Sequence, residues 1–507
     1  MADSSDIDIC LLLEGTYPFI RGGVSEWIHQ MLHELTDFKF HIVFLGSTKA
    51  QTPKPFYTLP SNVVGMTTHY LFDPIPEEDQ VPASSSRKAR AHFYKTLQRF
   101  FLTTDEREQE ADFWHLVDLL NTELKGITFG NLCQDHSSWN LLVHLYEKFA
   151  PSLPFLDFFW TTRFLHLPVW QILRLYPTIP QARAYHTIST GYAGFLGSLM
   201  THRTGRPCLL TEHGIYTKER IVEISQAQWI FEPEQRYFNY TTDTRFFKEL
   251  WIKKFMWLGK LTYHSMSQIV TLYEGNRNLQ IQFGAAPEKT SVIPNGIRAE
   301  NYEEVVKKRR ANLEANAIQN HVGFVGRIVS IKDVETLIQA AYEVVKARPQ
   351  TKFLLYGPTE EEPEYFHKCS HLIESLHLQE HALFMGSKPV KEILPNLSIM
   401  VLTSISEGLP LVILEAFAAE IPVVSTQVGA CRELILGRDE EDQAIGSAGL
   451  LTRGSSPDET AQAILTLLEN QDKTRQMGQN GRKRVEQFYS MKMMVEQYHS
   501  LYKTAIQ

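Results

Sequence analysis

The feature that most constrains this chain is a strict alternation that starts at "HVGFVGRI" and continues for about a hundred residues. Short apolar runs, "KFLLYGP", "ALFMGS", "SIMVLTS" and "IPVVST", are separated by amphipathic stretches, "DVETLIQAAYEVVKARP", "PEYFHKCSHLIESLHL", "PVKEILPNL" and "LPLVILEAFAAE". Near-continuous apolar strands between helices of 3.6-residue period predict a parallel sheet covered on both faces. A looser round precedes it. "IDICLLLEGT" reads as a strand, "SEWIHQMLHEL" as a helix with apolar positions Trp27, Ile28, Met31, Leu32 and Leu35, and "FKFHIVFLG" as a second strand. Strand-like runs then return in "AYHTIST", "CLLTEHG", "QIVTLY" and "TSVIPNG".

A chain of 507 residues is too long for one hydrophobic core. The expected fold class is therefore α/β, with two Rossmann-like domains facing each other across a cleft. Residues 1–300 form the N-terminal domain, which carries a mostly helical insertion at about 51–183. Residues 301–480 form the C-terminal domain, and 481–507 a helix packing back on the N-terminal domain. The joint falls in "NGIRAENYEEVVKKRR", where charge density rises and apolar periodicity lapses.

Composition removes several function classes. A net charge of -8 gives no general attraction for phosphate backbones or anionic lipid, so nucleic acid is not an expected partner. The five cysteines are scattered without C-x-x-C spacing, which suggests neither a disulfide framework nor a zinc site. A reducing cytosol fits, and "MADSSDIDIC" carries acids where a secretory signal needs a basic start. No uninterrupted apolar stretch of about 18 residues occurs, so no transmembrane segment is expected. The aromatic stretch "FAPSLPFLDFFWTTRFLHLPVWQILRLYP" reads first as internal packing, and second as the best surface for docking a membrane partner.

In open α/β sheets, ligands bind beyond the carboxyl ends of the strands, so the loops there should carry the chemistry. In "SEGLPLVILEAF", Gly408 allows a tight turn and Pro410 suits the first turn of a helix running to about Glu420. Glu407 then stands at the helix mouth, and Glu415 about 7.5 Å further along the axis. The amides of Leu409, Leu411 and Val412 are available to an anion. Glu415, among Leu411, Leu414, Ala418 and Ala419, needs a ligand or a partner. In "GFVGRIVSIKD", Arg327 and Lys332 follow a strand end and can grip a diphosphate from two sides. In "GTYPFIRGGVSEW", Gly22 and Gly23 precede a helix and let a phosphate approach the backbone, although the pattern is not G-x-G-x-x-G. His186 and His213, each at a strand end, read either as groups facing a substrate or as hydrogen-bonded structural residues, with Glu14 and Glu212 as further strand-end acids. "DID" at Asp6–Asp8 opens the first strand on its amino side, away from the ligand edge, so no metal site is expected there.

Taken together, "GRIVSIKD", "EGLPLVILE", "VIPNGI", "VVSTQVGACRELI" and "AGLLTRGSSPDETAQAI" resemble, in order, the motifs of the retaining GT-B glycosyltransferases of the glycogen synthase-like class. "DICLLLEGTYPFIRGGVSEWIHQML", "YHTISTGYAG" and "LLTEHGIYTKER" are similar to the PelF proteins, cytosolic glycosyltransferases of bacterial Pel exopolysaccharide synthesis. "VGACREL" departs from the wider class, which has Gly-Gly and Pro at that place. The resemblance implies a UDP-sugar donor, a polysaccharide acceptor and work in the cytoplasm beside inner-membrane Pel components; with a positively charged grip on the leaving group, no metal or other cofactor is expected. The resemblance also implies that Arg327 and Lys332 bind the donor diphosphate with help from Gly22 and Gly23. Glu407 would meet the donor sugar and Glu415 the ribose; His186, from its place at a strand end, is a candidate to face the donor sugar at the reacting centre. A transferase for a glucan or lipid-linked acceptor, a sugar-nucleotide hydrolase or epimerase, and an idle nucleotide-sugar-binding subunit remain as other readings of the same residues.

Overall fold

A computed structural model describes residues 7–73, 86–124, 127, 129–227, 230 and 245–507. It separates into two units: Met1–Val270 with Leu279–Ser291 and Tyr502–Gln507, and Thr271–Asn278 with Val292–Leu501.

The first unit is built on β1 (Ile9–Glu14), β2 (Phe40–Gly46), β3 (Val63–Tyr70), β4 (Ala184–Thr187), β5 (Cys208–Glu212), β6 (Gln268–Thr271) and β7 (Thr290–Val292), in the sheet order β3-β2-β1-β4-β5-β6-β7. Pairing is parallel from β3 through β5. β1 pairs with β2 on one side and β4 on the other, so the topology reverses between β1 and β4. Leu12, Val43, Tyr185, Phe195 and Leu210 fill its core.

The second unit carries β8 (His321–Val325), β9 (Lys352–Tyr356), β10 (Ala382–Gly386), β11 (Ile399–Leu402), β12 (Val423–Thr426) and β13 (Gly449–Thr452), in the order β10-β9-β8-β11-β12-β13. Every pair in it is parallel. The reversal falls between β8 and β11, above a core that includes Phe324, Leu355, Val401 and Ile413. Both sheets therefore have a doubly wound strand order with a central reversal, where a crevice opens at the carboxyl ends of the strands.

Two strands lie outside the sequence expectation. β3 falls within the stretch read as mostly helical, and β13 within "AGLLT". β3 is an edge strand whose residues are half-buried or exposed. Its polar "TTH" hides the apolar run that marks an interior strand. The helix after the Gly-Leu-Pro corner is also shorter than expected. Pro410 is its N-cap with an extended ψ of 106°, and the helix spans Leu411–Ala418. Glu420 turns left-handed at φ 60°, which ends it.

The aromatic stretch forms the Phe155–Leu175 helix. Phe158, Leu165, Pro168 and Ile172 are buried on one side, whereas Leu156, Trp160 and Phe164 stand exposed on another.

Candidate active site

Past β8 the chain runs through Gly326 and Arg327 into a single 3-10 turn, Ser330–Lys332. Asp333 follows with φ 46° and caps the Val334–Ala347 helix. Its carboxylate accepts from the Thr336 amide (3.3 Å), the Thr336 hydroxyl (2.8 Å) and the Ser455 hydroxyl (3.1 Å). The turn is tied to the loop beyond β11. The Ile405 amide donates to the Ile331 carbonyl at 2.9 Å, and the Thr403 hydroxyl to the Lys332 carbonyl at 3.1 Å. Fixed in this way, Lys332 sets its ammonium 2.5 Å from Glu407 Oε1, which also accepts from the Ser404 hydroxyl at 2.6 Å. With 17% of Lys332 and 11% of Glu407 still exposed, the pair lies beyond the carboxyl ends of the central strands β8 and β11, within reach of a ligand.

Backbone packing holds the Glu407 corner. Gly429 has φ 52°, and a Cβ there would stand 2.2 Å from the Glu407 carbonyl oxygen. Ala430 then donates its amide to the Gly408 carbonyl at 2.9 Å. This is the departing "VGACREL" segment, and its contacts with the corner are to backbone atoms.

Arg327 is half-exposed, and its Nη1 donates to both carboxylate oxygens of Glu361, at 2.5 and 2.7 Å. The Ser330 amide donates to Glu362 at 2.9 Å. Leu409 is buried, and Leu411 and Val412 open the helix with amides facing its N-terminal end. Inside that helix Glu415 accepts from the Tyr302 hydroxyl at 3.0 Å. Burial pushes its carboxyl above the usual range, against the Tyr302 bond and the Lys391 charge, which pull it down. The partner that sequence reasoning demanded for Glu415 is thus Tyr302. Glu361, Ser404, Tyr302 and Gly429 were not found from sequence, since each meets its partner through the fold and none sits in a local pattern of its own.

In the first unit the reversal point is occupied by the protein's own groups. Glu14 accepts from the Ala193 amide and the Tyr216 hydroxyl, both at 3.1 Å, and from the Ser189 hydroxyl at 3.4 Å. Ala193 lies in the first turn of the Tyr192–Thr204 helix, where a carboxylate complements the helix dipole. Burial nonetheless raises the Glu14 pKa. Nearby, Lys254 donates to the Tyr192 hydroxyl at 2.7 Å and lies over the Tyr192 and Trp251 rings, its pKa lowered to about 7 by burial. Glu212 accepts from Tyr263 (2.7 Å) and Gln280 (3.0 Å), and burial raises it to about 7.

His186 requires a correction. It is fully buried, with Nδ1 2.6 Å from the Tyr502 hydroxyl and Nε2 2.9 Å from the Thr211 hydroxyl. Burial lowers its pKa to about 3. Both ring nitrogens are engaged inside the first unit, so it is a structural imidazole and not a base facing a donor sugar. His213 stacks edge-on against Trp27 at 4.8 Å, and burial lowers it to about 4. Gly22 and Gly23 are exposed at the start of the Gly23–Glu34 helix, and a Cβ on either would meet nothing. Packing therefore does not require glycine there. Asp8 accepts from the Lys39 amide at 2.9 Å and pairs with Arg183 at 3.3 Å, on the amino side of β1; Asp6 lies outside the described residues.

Residues 7–288, more than half of the chain, match the family described as "Domain of unknown function (DUF3492)", and residues 305–484 match "Glycosyl transferases group 1". The chain belongs to the DUF3492 family and carries a group 1 glycosyltransferase domain. Arg327, Lys332, Glu407 and Glu415 all lie within that domain. N-acetyl-alpha-D-glucosaminyl L-malate synthase of Bacillus anthracis is 29% identical over 200 residues, 39% of this chain and 48% of that protein. Alpha-maltose-1-phosphate synthase of Mycolicibacterium smegmatis is 25% identical over 339 residues, 63% of this chain and 77% of that one. The chain thus spans about half the length of the first of these relatives. Anabaena HepE, solved with UDP and glucose, matches 98% of this chain and 100% of its own at a TM-score of 0.58 and 15% identity. That likeness, with the two parallel sheets, shows the two Rossmann-like domains of a GT-B glycosyltransferase fold.

Proposed function

We propose that the chain is a retaining glycosyltransferase that moves a sugar from a UDP-sugar to a growing Pel-type exopolysaccharide, in the bacterial cytosol beside inner-membrane partners. The observation that carries the transferase reading is the Lys332–Glu407 pair at the reversal point of the second sheet, 2.5 Å apart and next to a helix N-terminus. A nucleoside diphosphate leaving group gains negative charge as the glycosidic bond breaks. A fixed ammonium, a guanidinium and helix amides aimed at that charge lower the barrier.

In this reading Lys332 and Arg327 take the diphosphate, Arg327 exchanging Glu361 for a phosphate of matching fork geometry. Glu407, released from Lys332, accepts from donor sugar hydroxyls, and Glu415 with Tyr302 holds the ribose. Gly408, Leu409, Leu411 and Val412 supply backbone to the oxygens. In the first unit, the uncrowded turn at Gly22 and Gly23 is a second place for phosphate oxygens to reach amides. The departing phosphate assists in taking the acceptor proton, so attack comes on the face the leaving group vacates and the configuration is retained. No step needs a metal. The UDP and glucose held by HepE, and the resemblance of "TYPFIRGGVSEW" and "STGYAG" to PelF, support the donor and the pathway.

The test is a screen of purified protein against UDP-glucose, UDP-N-acetylglucosamine, UDP-N-acetylgalactosamine and their ADP and GDP counterparts, scoring donor hydrolysis separately from acceptor-dependent transfer. Transfer confined to UDP-sugars and lost in Glu407→Ala is expected. Full turnover in that variant removes this site from the reaction.

A further inference from the structure

Five of the large apolar side chains exposed among the described residues crowd into one helical stretch of the first unit: Trp139, Phe149, Leu156, Trp160 and Phe164, each 46 to 68% exposed. Leu156, Trp160 and Phe164 recur every four residues, so they form one ridge along the Phe155–Leu175 helix. Trp160 and Phe164 stack at 6.0 Å, and Trp139, also exposed, packs edge-on at 5.6 Å against Phe155 in the adjoining row of the same helix. A surface ridge of this kind costs solubility unless it is covered.

What covers it is indicated by charge. The neighbouring Arg87–Leu102 helix, "RKARAHFYKTLQRFFL", holds five cations and no acid, in a chain whose net charge is -8. Arg90 and Tyr94 face the aromatic helices. Arg90 reaches Asp135 at 3.9 Å, and the Ser138 hydroxyl donates to Tyr94 at 3.1 Å, both within a turn of Trp139. Arg87, three residues before Arg90, shares that face, and Lys88 stands exposed next to it. Further cations lie among the rings: Lys148 over Phe149 at 5.4 Å and Arg163 over Phe129 at 5.4 Å.

Trp, Phe and Leu on a ridge bordered by Lys and Arg match the interface of an anionic bilayer, where rings sit at headgroup depth and cations meet lipid phosphates. The core of a protein–protein interface is instead depleted of lysine. No helix among the described residues is long and apolar enough to cross a membrane, so such contact would be on the surface. We propose that the Trp139–Phe164 ridge, with the Arg87–Leu102 helix, docks this protein directly onto an anionic lipid surface. This stands apart from the transferase reading, because neither helix holds a residue of the donor site.

The experiment is co-sedimentation of the full chain with vesicles of phosphatidylcholine alone and of phosphatidylcholine with phosphatidylglycerol, beside sedimentation velocity without lipid. We expect binding to the phosphatidylglycerol vesicles that weakens with salt. Leu156→Ser, Trp160→Ser and Phe164→Ser together should lower it on the order of 100-fold. Arg87→Gln with Lys88→Gln should lower it by roughly 5-fold per charge. All five side chains are exposed, so melting and nucleotide binding should stay as in the parent. The proposal is overturned if the parent binds neither vesicle, if the serine variant binds as well as the parent, or if the parent is a dimer in solution that those serines dissociate. The last result would assign the ridge to a second copy of the chain.

Discussion

The two sheets share a strand order and a reversal point, yet they use that point differently. In the first unit the crevice is filled from within: Glu14 caps the Tyr192–Thr204 helix, and Tyr216 and Ser189 complete its hydrogen bonds. In the second unit the corresponding place holds an ammonium and a carboxylate that face each other and keep some exposure, beside a helix whose first amides have no side-chain cap. A helix N-terminus attracts an anion in either case. Where a buried carboxylate of the chain's own already serves the helix end the crevice is closed, and where a partly exposed cation and carboxylate stand beside an uncapped helix end, we propose that the site takes an anion from outside.

The largest effect should come from breaking the second crevice. Lys332→Ala is expected to lower kcat/KM by about 10²- to 10³-fold with radiolabelled UDP-sugar, while Glu14→Gln leaves nucleotide affinity as it was. Equal losses in the two variants would erase the distinction between the crevices.

The first unit should instead reveal its buried acids through stability. Burial raises Glu212 from 4.5 to about 7, so between those values the folded state holds a proton that the unfolded chain has released. Stability from this group is present below pH 4.5 and is lost as pH rises toward 7, on the order of 3 kcal/mol in all. Urea midpoints taken across that range should fall for the parent relative to Glu212→Gln. His186 works in the opposite sense from 6.5 down to about 3, but it is present in both proteins and drops out of the difference. A pH-independent difference between the two would mean that Glu212 is not buried as described.

Glycine substitutions sharpen the contrast on a smaller scale. Gly429→Ala forces a left-handed alanine against the Glu407 carbonyl and should cost about 1–3 kcal/mol by urea denaturation, with weaker donor binding. Gly23→Ala meets nothing and is expected to stabilise the protein by about 0.4–1 kcal/mol. A similar loss at both positions would show that the glycines of the two units serve the same purpose.

Most of this architecture was legible in sequence, because interior parallel strands are continuous apolar runs; "KFLLYGP" and "SIMVLTS" could hardly be anything else. β3 was not, since an edge strand carries Thr67, Thr68 and His69 without penalty and so loses the pattern. Arg327, Lys332 and Glu407 were legible as types on strand-end loops, and Glu415 as an acid inside the helix that follows. Their pairings with Glu361 and Tyr302 were not, because those contacts join segments 34 and 113 positions apart, which local spacing cannot register. His186 misled for a related reason. A histidine at a strand end looks alike whether its ring faces a ligand or, as here, Tyr502 from a helix 316 positions away.

The most direct measurement is a crystal structure of the protein with UDP. We expect the diphosphate on Lys332 and Arg327, with Glu407 and Glu361 turned away from the two cations. A nucleotide bound elsewhere, with Lys332 still on Glu407 and Arg327 in bulk water, would contradict the assignment.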